Sequence, residues 1–151
     1  MRVASMPVAG LLLAVTISFP GLACAGGSQV YSDNMYGGES PEDAVTRFLE
    51  AANQNEYRLM ANLFGTEDGP AERKWGRAEV EQRMFVIAGI LHHASFQLRR
   101  LNLTEGPNSV RVFADLIGTS NGNASVPFIT IVNDDRWYVQ QIMTETLRGG
   151  G

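Results

Sequence analysis

Asp115 is the residue whose type and position best suit acid–base chemistry. It lies in the strand-like segment Val110 to Gly118, where alternation groups it with Arg111 and Phe113. A carboxylate beside apolar neighbours can have a raised pKa, as a general base requires. The simpler interpretation is a solvated outer face of a sheet carrying both Asp115 and Arg111, because Ala114 and its apolar neighbours take the opposite face.

The segment Gly118 to Gly122 matches the G-x-S-x-G pattern of a hydrolase nucleophile elbow. That elbow requires a turn from a strand into a helix. The residues that follow, Val126 to Val132, are instead rich in β-branched side chains, and Asn121-Gly122 is a strong hairpin signal. We therefore interpret the segment as a hairpin turn.

His92 and His93 are the only histidines of the chain. Neighbouring residues of a helix point about 100° apart, so the pair cannot chelate one metal ion. At the end of a helix, histidines interact favourably with the helix dipole. We predict no metal site and no cofactor.

The cluster Arg73 to Arg77 (RKWGR) combines basic charge with Trp75. Such a cluster can contact anionic lipid headgroups, which would suit a membrane-anchored protein. We favour a solvated loop in which Trp75 covers the edge of the domain.

The N-terminal segment has the organisation of an export signal. Arg2 precedes the apolar run Val8 to Phe19, which is too short to span a bilayer but suits a signal-peptide core. The sequence GLAC that ends at Cys24 resembles the lipobox of bacterial lipoproteins, whose cysteine is acylated and becomes the first mature residue. Alternatives are ordinary cleavage after the A-x-A site that ends at Ala25, and an uncleaved anchor.

The expected location is therefore the cell envelope. An acylated Cys24 would anchor the protein to a membrane, facing the periplasm, whereas ordinary cleavage would give a periplasmic or secreted protein. Cys24 is the only cysteine, so the mature fold would contain no disulfide. The net charge of −4 argues against a nucleic-acid partner, which usually requires a basic excess.

The chain divides into four segments. Residues 1–23 form the predicted signal peptide, and residues 24–39 form a lipidated N-terminus with a flexible, glycine-rich tether. Residues 40–147 form one domain, and residues 148–151 form a disordered tail.

The domain is predicted to begin with three helices. Ser40 is a good N-cap, Pro41 suits the first helical position, and the first helix runs to about Asn53. A second helix runs from about Glu56 to Leu63, and a loop covers residues 66–76. The third helix spans about residues 77–92 and buries an apolar stripe of six residues: Val80, Met84, Phe85, Ile87, Ala88 and Leu91.

After the third helix the apolar period changes from helical spacing to alternation. Four strands are predicted, with a β-bulge at Arg99-Arg100 and turns at residues 105–108, at Asn121-Gly122 and at Asp134-Asp135. The pattern predicts an α+β domain with a four-stranded antiparallel meander.

Two segments resemble nuclear transport factor 2-like domains. Pro41 to Gly65 (PEDAVTRFLEAANQNEYRLMANLFG) is similar to the family's opening helices, and Asp135 to Val139 (DRWYV) is similar to its last strand. The resemblance covers about residues 40–146 and rests on packing motifs. It implies helices packed on a strongly curved antiparallel sheet, which forms a cone around an apolar pocket.

The resemblance implies a fold rather than one reaction. Members include ketosteroid isomerase, scytalone dehydratase, polyketide cyclases and many non-catalytic binding domains. A site like that of ketosteroid isomerase would use Asp115 as the base and Tyr57 or Tyr138 as oxyanion donors. No catalytic motif of the family matches this sequence, so no catalytic residue is carried over.

The implied pocket would be lined by the inward apolar residues of the third helix and the strands: Met84, Ile87, Leu91, Val112, Ala114, Phe128, Val139 and Met143. None of these can act as a general base. We therefore expect a non-catalytic binding or interaction module, with an apolar small molecule or a protein as its partner. A small-molecule isomerase or dehydratase that uses the pocket is the alternative.

Overall fold

The computed structural model describes residues 35–148, with the backbone alone for residues 101–103. The signal-like segment, Cys24 and residues 149–151 lie outside the described residues. The described helices are α1 (Pro41–Gln54), α2 (Tyr57–Leu63), α3 (Glu72–Trp75), α4 (Arg77–Leu91) and α5 (Glu145–Arg148). The strands are β1 (Gly65–Thr66), β2 (Gly69–Pro70), β3 (Ser95–Gly106), β4 (Ser109–Thr119), β5 (Gly122–Asn133) and β6 (Arg136–Ile142). The fold is therefore α+β, as predicted.

Helix α1 begins at the predicted cap. Ser40 is extended, with φ −143° and ψ 167°, and its hydroxyl oxygen accepts a hydrogen bond from the backbone N–H of Asp43. Pro41 occupies the first turn, where its missing N–H costs nothing. Asn55 ends the helix in the left-handed conformation, with φ 59°. This conformation directs the chain into α2 without a long connection.

Strands β3 to β6 form an antiparallel sheet in sequence order, as predicted. Along β4, buried and partly exposed residues alternate, with Val112, Ala114 and Leu116 buried. Ala114 pairs with Val126 of β5, which is also buried. The same alternation places Asp115 on the face opposite the apolar core.

The predicted turns join these strands. Thr119 pairs with Gly122, which leaves Ser120 and Asn121 as a two-residue hairpin loop. Asp134 and Asp135 join β5 to β6 with φ values of 49° and 58°. Two consecutive positive φ values are typical of the hairpin turn whose twist matches that of its strands. The G-x-S-x-G segment is thus a hairpin, not a strand-to-helix elbow.

The apolar core joins the helices to the sheet through Phe48 of α1. Phe48 is fully buried, and its ring packs edge-on against Phe128 of β5, with a centroid distance of 6.4 Å. It also lies 6.5 Å from the ring of Phe64 at the end of α2. Burial of one such side chain contributes about 1.5–3 kcal/mol.

One residue that was predicted to be buried on α4, Phe85, is exposed. Val80, Met84, Ala88 and Leu91 are buried and Ile87 is partly buried, but Phe85 is 61% exposed. Phe85 follows Met84 and therefore points about 100° away from it around the helix. Its ring packs instead on Tyr57 of α2, with a centroid distance of 5.4 Å.

Three local features differ from the sequence prediction. The predicted loop of residues 66–76 contains most of the β1–β2 hairpin and all of α3. The register shifts of β3 fall between Arg100 and Thr104 and between Thr104 and Gly106 rather than at Arg99-Arg100. Arg148 ends helix α5 instead of beginning a tail. Elements of two to four residues are too short to show a period in a sequence.

The last residues of the predicted tether are part of the domain. Residues 35–38, here called the strap, lie along β6, where Gly38 and Trp137 exchange backbone hydrogen bonds of 2.7 and 2.9 Å. The N–H of Gly37 donates to the carbonyl of Asn62, and Arg47 donates to the carbonyl of Gly37. A flexible tether was therefore the wrong expectation for these residues, because backbone pairing to a distant strand holds them.

Two glycine substitutions test the strap and the helix separately. A Cβ at Gly38 would lie 2.5 Å from the backbone nitrogen of Ala44, so Gly38→Ala should destabilise the domain by about 1–3 kcal/mol. A Cβ at Gly89 of α4 would meet nothing within 4 Å. Gly89→Ala should therefore stabilise the domain by about 0.5–1 kcal/mol. Urea unfolding measures both changes, and an unchanged Gly38→Ala midpoint would show that the strap is not docked in solution.

Candidate functional site

An open groove of about 630 Å³ lies beside the turn between α1 and α2. This volume falls within the range of small-molecule sites, roughly 300–1,000 Å³. The turn and α2 supply most of its wall, the strap supplies one residue and α4 another. The lining residues are Met35, Asn55, Glu56, Tyr57, Arg58, Leu59, Asn62 and Glu81.

Asn62 is the buried polar residue of the groove. It is 3% exposed and lies on α2 between the buried residues Ala61 and Leu63. Its side-chain oxygen accepts a hydrogen bond of 3.4 Å from Nη1 of Arg77. The same Nη1 lies 3.6 Å from a carboxylate oxygen of Glu81. Arg77 therefore holds both polar side chains at one end of the groove.

Arg77 also ties the strap to the helices. Its Nη2 lies 2.5 Å from Glu72 and donates a 2.9 Å hydrogen bond to the hydroxyl oxygen of Tyr36. Tyr36 in turn donates to Glu72 at 2.7 Å, and this hydrogen bond is the main reason that the pKa of Tyr36 is raised. The strap residue Met35, which lines the groove, is thus held next to an ordered network.

Asp115 lies on the outer face of the sheet in a charged pair. Nε and Nη2 of Arg99 on β3 donate to its two carboxylate oxygens at 2.5 and 2.9 Å. The pKa of Asp115 is lowered, mainly by the hydrogen bonds from Arg99 and then by Ser125. A carboxylate with a lowered pKa is a weak base at neutral pH. The raised pKa considered from the sequence is therefore the wrong direction.

Arg111, which shares the outer face with Asp115, has a different charge partner. Arg111 pairs with Glu105, with an Nη2 to carboxylate distance of 2.5 Å. Asp115 on β4 is directly opposite Gln97 on β3. Arg99 is two residues further along β3, so it is a diagonal neighbour of Asp115 on the same face. Diagonal neighbours on one face of a sheet are within reach of long side chains.

The two candidate oxyanion donors do not assemble around Asp115. Tyr57 lies in the groove wall and donates to the side-chain oxygen of Asn55 at 3.1 Å. Tyr138 on β6 is 4% exposed, and burial raises its pKa. The side-chain partners of Asp115 are Arg99 and Ser125. The described structure thus separates the three residues that an isomerase-like site would have to bring together.

The predicted pocket-lining residues form core rather than cavity. Ile87 and Met143 are partly exposed, but the other six have 0% exposure, so no space that would admit water borders them. These six are Met84, Leu91, Val112, Ala114, Phe128 and Val139. Packed side chains fill the region where an apolar pocket was expected. The groove lies elsewhere and shares none of these residues.

The remaining sequence candidates have structural contacts. His93 is buried, with its ring edge-on to Phe96 and its backbone bonded to the side chain of Asn53, whereas His92 is exposed. In the basic cluster, Trp75 packs against the core and lies under Arg83, whose guanidinium is 4.8 Å from the ring centroid. The cluster therefore includes part of α3 and a cation–π contact, not only a solvated loop.

The groove residues were not identified from the sequence. Asn62 had a detectable signal, because it interrupts the apolar residues of α2 with a side chain that is costly to bury without a partner. Met35 and Glu81 had none, since their places in the wall depend on how the strap and α4 pack.

No protein-family model matches the chain, and no curated protein matches it. Within residues 35–148, no three side chains of His, Cys, Asp or Glu cluster so as to hold a metal ion. In that same range, every helix is too short or too polar to cross a membrane.

Asp115→Asn tests the direction of the pKa shift. Because the folded pKa lies below the unfolded value of about 3.9, the pair stabilises the fold fully above that pH. Its contribution should disappear as the pH falls through the folded pKa. The difference in unfolding free energy between wild type and variant should therefore be constant from about pH 5 to 7 and decrease below about pH 4. A difference that changes above pH 5 would indicate a raised pKa and restore the general-base interpretation.

Proposed function

We propose that this chain is an exported lipoprotein whose α+β domain is a non-catalytic binding module. An acylated Cys24 would anchor it to a membrane of the cell envelope, facing the periplasm. The apolar run Val8 to Phe19 and the lipobox-like GLAC segment that ends at Cys24 support this location. The partner would be an apolar small molecule or a protein.

We further propose that the domain has the nuclear transport factor 2-like cone. The helices α1, α2 and α4 precede the antiparallel sheet, and the four-residue helix α3 is a short addition before α4. Each neighbouring pair of long strands contains a register shift. Such irregularities bend a strand and increase its twist, as a strongly curved sheet requires.

The open groove is the observation that carries the binding function. Tyr57 stands in its wall, and the exposed ring of Phe85 packs against Tyr57 beside it. Val86, the next residue of α4, is 57% exposed. Aromatic and apolar side chains next to a concave surface are typical of binding sites.

The absence of an assembled acid–base site among the described residues supports a non-catalytic role. Asp115 is neutralised by Arg99 and lies on the outer face of the sheet.

Replacement of the anchoring cysteine tests the location. Cys24→Ser should move the protein from the membrane fraction to the soluble periplasmic fraction, because acylation would be lost. Intact-mass measurement of the wild type should give a mature chain that begins at Cys24 and carries the added acyl mass. An unmodified chain that begins at Gly26 would contradict the lipoprotein proposal.

Ligand retention tests the binding function. The wild-type protein, purified from its own membranes and examined by native mass spectrometry, should carry a bound molecule that Tyr57→Ala loses. Ile117→Ala is the control, because Ile117 is an exposed apolar residue of β4, at 42% exposure, that lies outside the groove wall. Equal retention by Tyr57→Ala would contradict the groove as the site. Conversion of the retained molecule by wild type but not by Asp115→Asn would favour the enzyme alternative.

A further inference from the structure

We propose that the outer side of α4 is a self-association surface, on which Val86 of one copy of this chain fills a hollow beside Gly89 of a second copy. The occupant of the surface is therefore a second copy of the same chain. Neither Val86 nor any residue of the hollow lines the groove, so the inference goes beyond ligand binding and does not depend on it.

Helix α4 is apolar on two opposite sides. Its inner side buries Val80, Met84 and Leu91 in the core. Its outer side carries Phe85 and Val86, which are 61% and 57% exposed. They are two of the three exposed large apolar side chains among those that the structure describes. The outer side of such a helix is usually polar, and adjacent apolar side chains rimmed by polar ones mark an interaction site.

A hollow of about 240 Å³ lies one turn further along this outer side. Gly89 and Ile90 of α4 form one wall. The other walls are residues 119–121 of the β4–β5 hairpin and the end of α5, Leu147 and Arg148. A Cβ at Gly89 would meet nothing within 4 Å, so α4 itself leaves this space open.

Two polar side chains of the hollow already have partners within the chain. Nδ2 of Asn121 donates a 2.7 Å hydrogen bond to the carbonyl of Leu147, which ties the hairpin to α5. Oγ1 of Thr119 donates to the carbonyl of Gly122. An aliphatic side chain can therefore enter the hollow without depriving these groups of a hydrogen bond.

The spacing of the projection and the hollow suits two copies related by a two-fold axis. The projecting pair Phe85-Val86 is followed four residues later by Gly89-Ile90, and residues four apart lie on the same side of a helix. A two-fold axis across α4, between the two pairs, would place each Val86 at the hollow of the other copy. One contact between identical chains would thereby fill both hollows, whereas a different partner would have to supply a projection and a hollow of its own.

The charges on the outer side of α4 do not oppose a second copy. Nη2 of Arg83 lies 2.5 Å from a carboxylate oxygen of Glu79, so these two exposed charges neutralise each other. The exposed neighbours Ala78 and Gln82 are uncharged. Two copies can therefore approach through this surface although the whole chain has a net charge of −4.

The dimer should be weak and reversible. One helix side and one hollow offer less surface than the roughly 800 Å² per partner that a standard interface buries. Sedimentation velocity of the full mature chain with Cys24→Ser, at loading concentrations from about 10 µM to 1 mM, covers the affinities of such small interfaces. We expect a monomer–dimer equilibrium that stops at the dimer, because both hollows are then filled.

Two variants test the two halves of the contact. Val86→Glu would bring a carboxylate to the hollow, and Gly89→Leu would fill the hollow from the same chain. Each should raise the dissociation constant of the dimer by about tenfold or more. Both should remain folded, with an unchanged or higher urea midpoint, because Val86 is exposed and a Cβ at Gly89 meets no atom.

Ile117→Glu is the matched control. It makes the same kind of change at an exposed apolar residue, but on the outer face of the sheet and outside the hollow. It should leave the dissociation constant unchanged.

The outcomes decide between this surface and the alternatives. Weaker dimers in Val86→Glu and Gly89→Leu, together with an unchanged Ile117→Glu, support self-association through α4. The inference is overturned if the wild type stays monomeric up to the highest concentration, if either α4 variant dimerises like the wild type, or if Ile117→Glu weakens the dimer equally. Retention of a molecule by the wild type and its loss in Tyr57→Ala concern the groove alone, so either proposal can fail without the other.

Discussion

The packing of Phe48 is the contact on which the rest of the domain depends. It touches Phe64 at the end of α2 and Phe128 in the middle of the sheet, and it has no exposed surface. One side chain thereby fixes both helices against β5. Because the groove is built on the turn between α1 and α2, its wall is positioned by this aromatic contact rather than by any residue of the groove itself.

Arg77 has the corresponding role among the polar contacts. A single guanidinium meets Tyr36 of the strap, Glu72 of α3 and two groove residues, Asn62 and Glu81. Each ion pair at a partly exposed position contributes little stability by itself. A planar guanidinium that several side chains share nevertheless fixes the orientation of those side chains. The arrangement orients the groove side chains and connects them to the point where the chain enters the domain.

The parts of the fold that local chemistry determines were predictable from the sequence. The cap at Ser40, the hairpin turns and the parity that places Asp115 opposite Ala114 each depend on a few neighbouring residues. The strap depends on distant packing, because Gly38 pairs with a residue near the other end of the domain, Trp137. The groove was not predicted for the same reason, because its wall brings together residues that are distant in the sequence. Asn62, a polar residue among the apolar residues of α2, is the one wall residue that had a sequence signal.

The division of the sheet into two faces explains why the open groove lies beside the helices and the strap rather than on the sheet. The inner face of β4 is filled by packed apolar residues, so a substrate has no room there. The outer face carries Asp115 and Arg111, each neutralised by a charge on the neighbouring strand. Packing is incomplete instead at the junction of the strap, α2 and α4, where the open groove lies beside Asn62, which is 3% exposed.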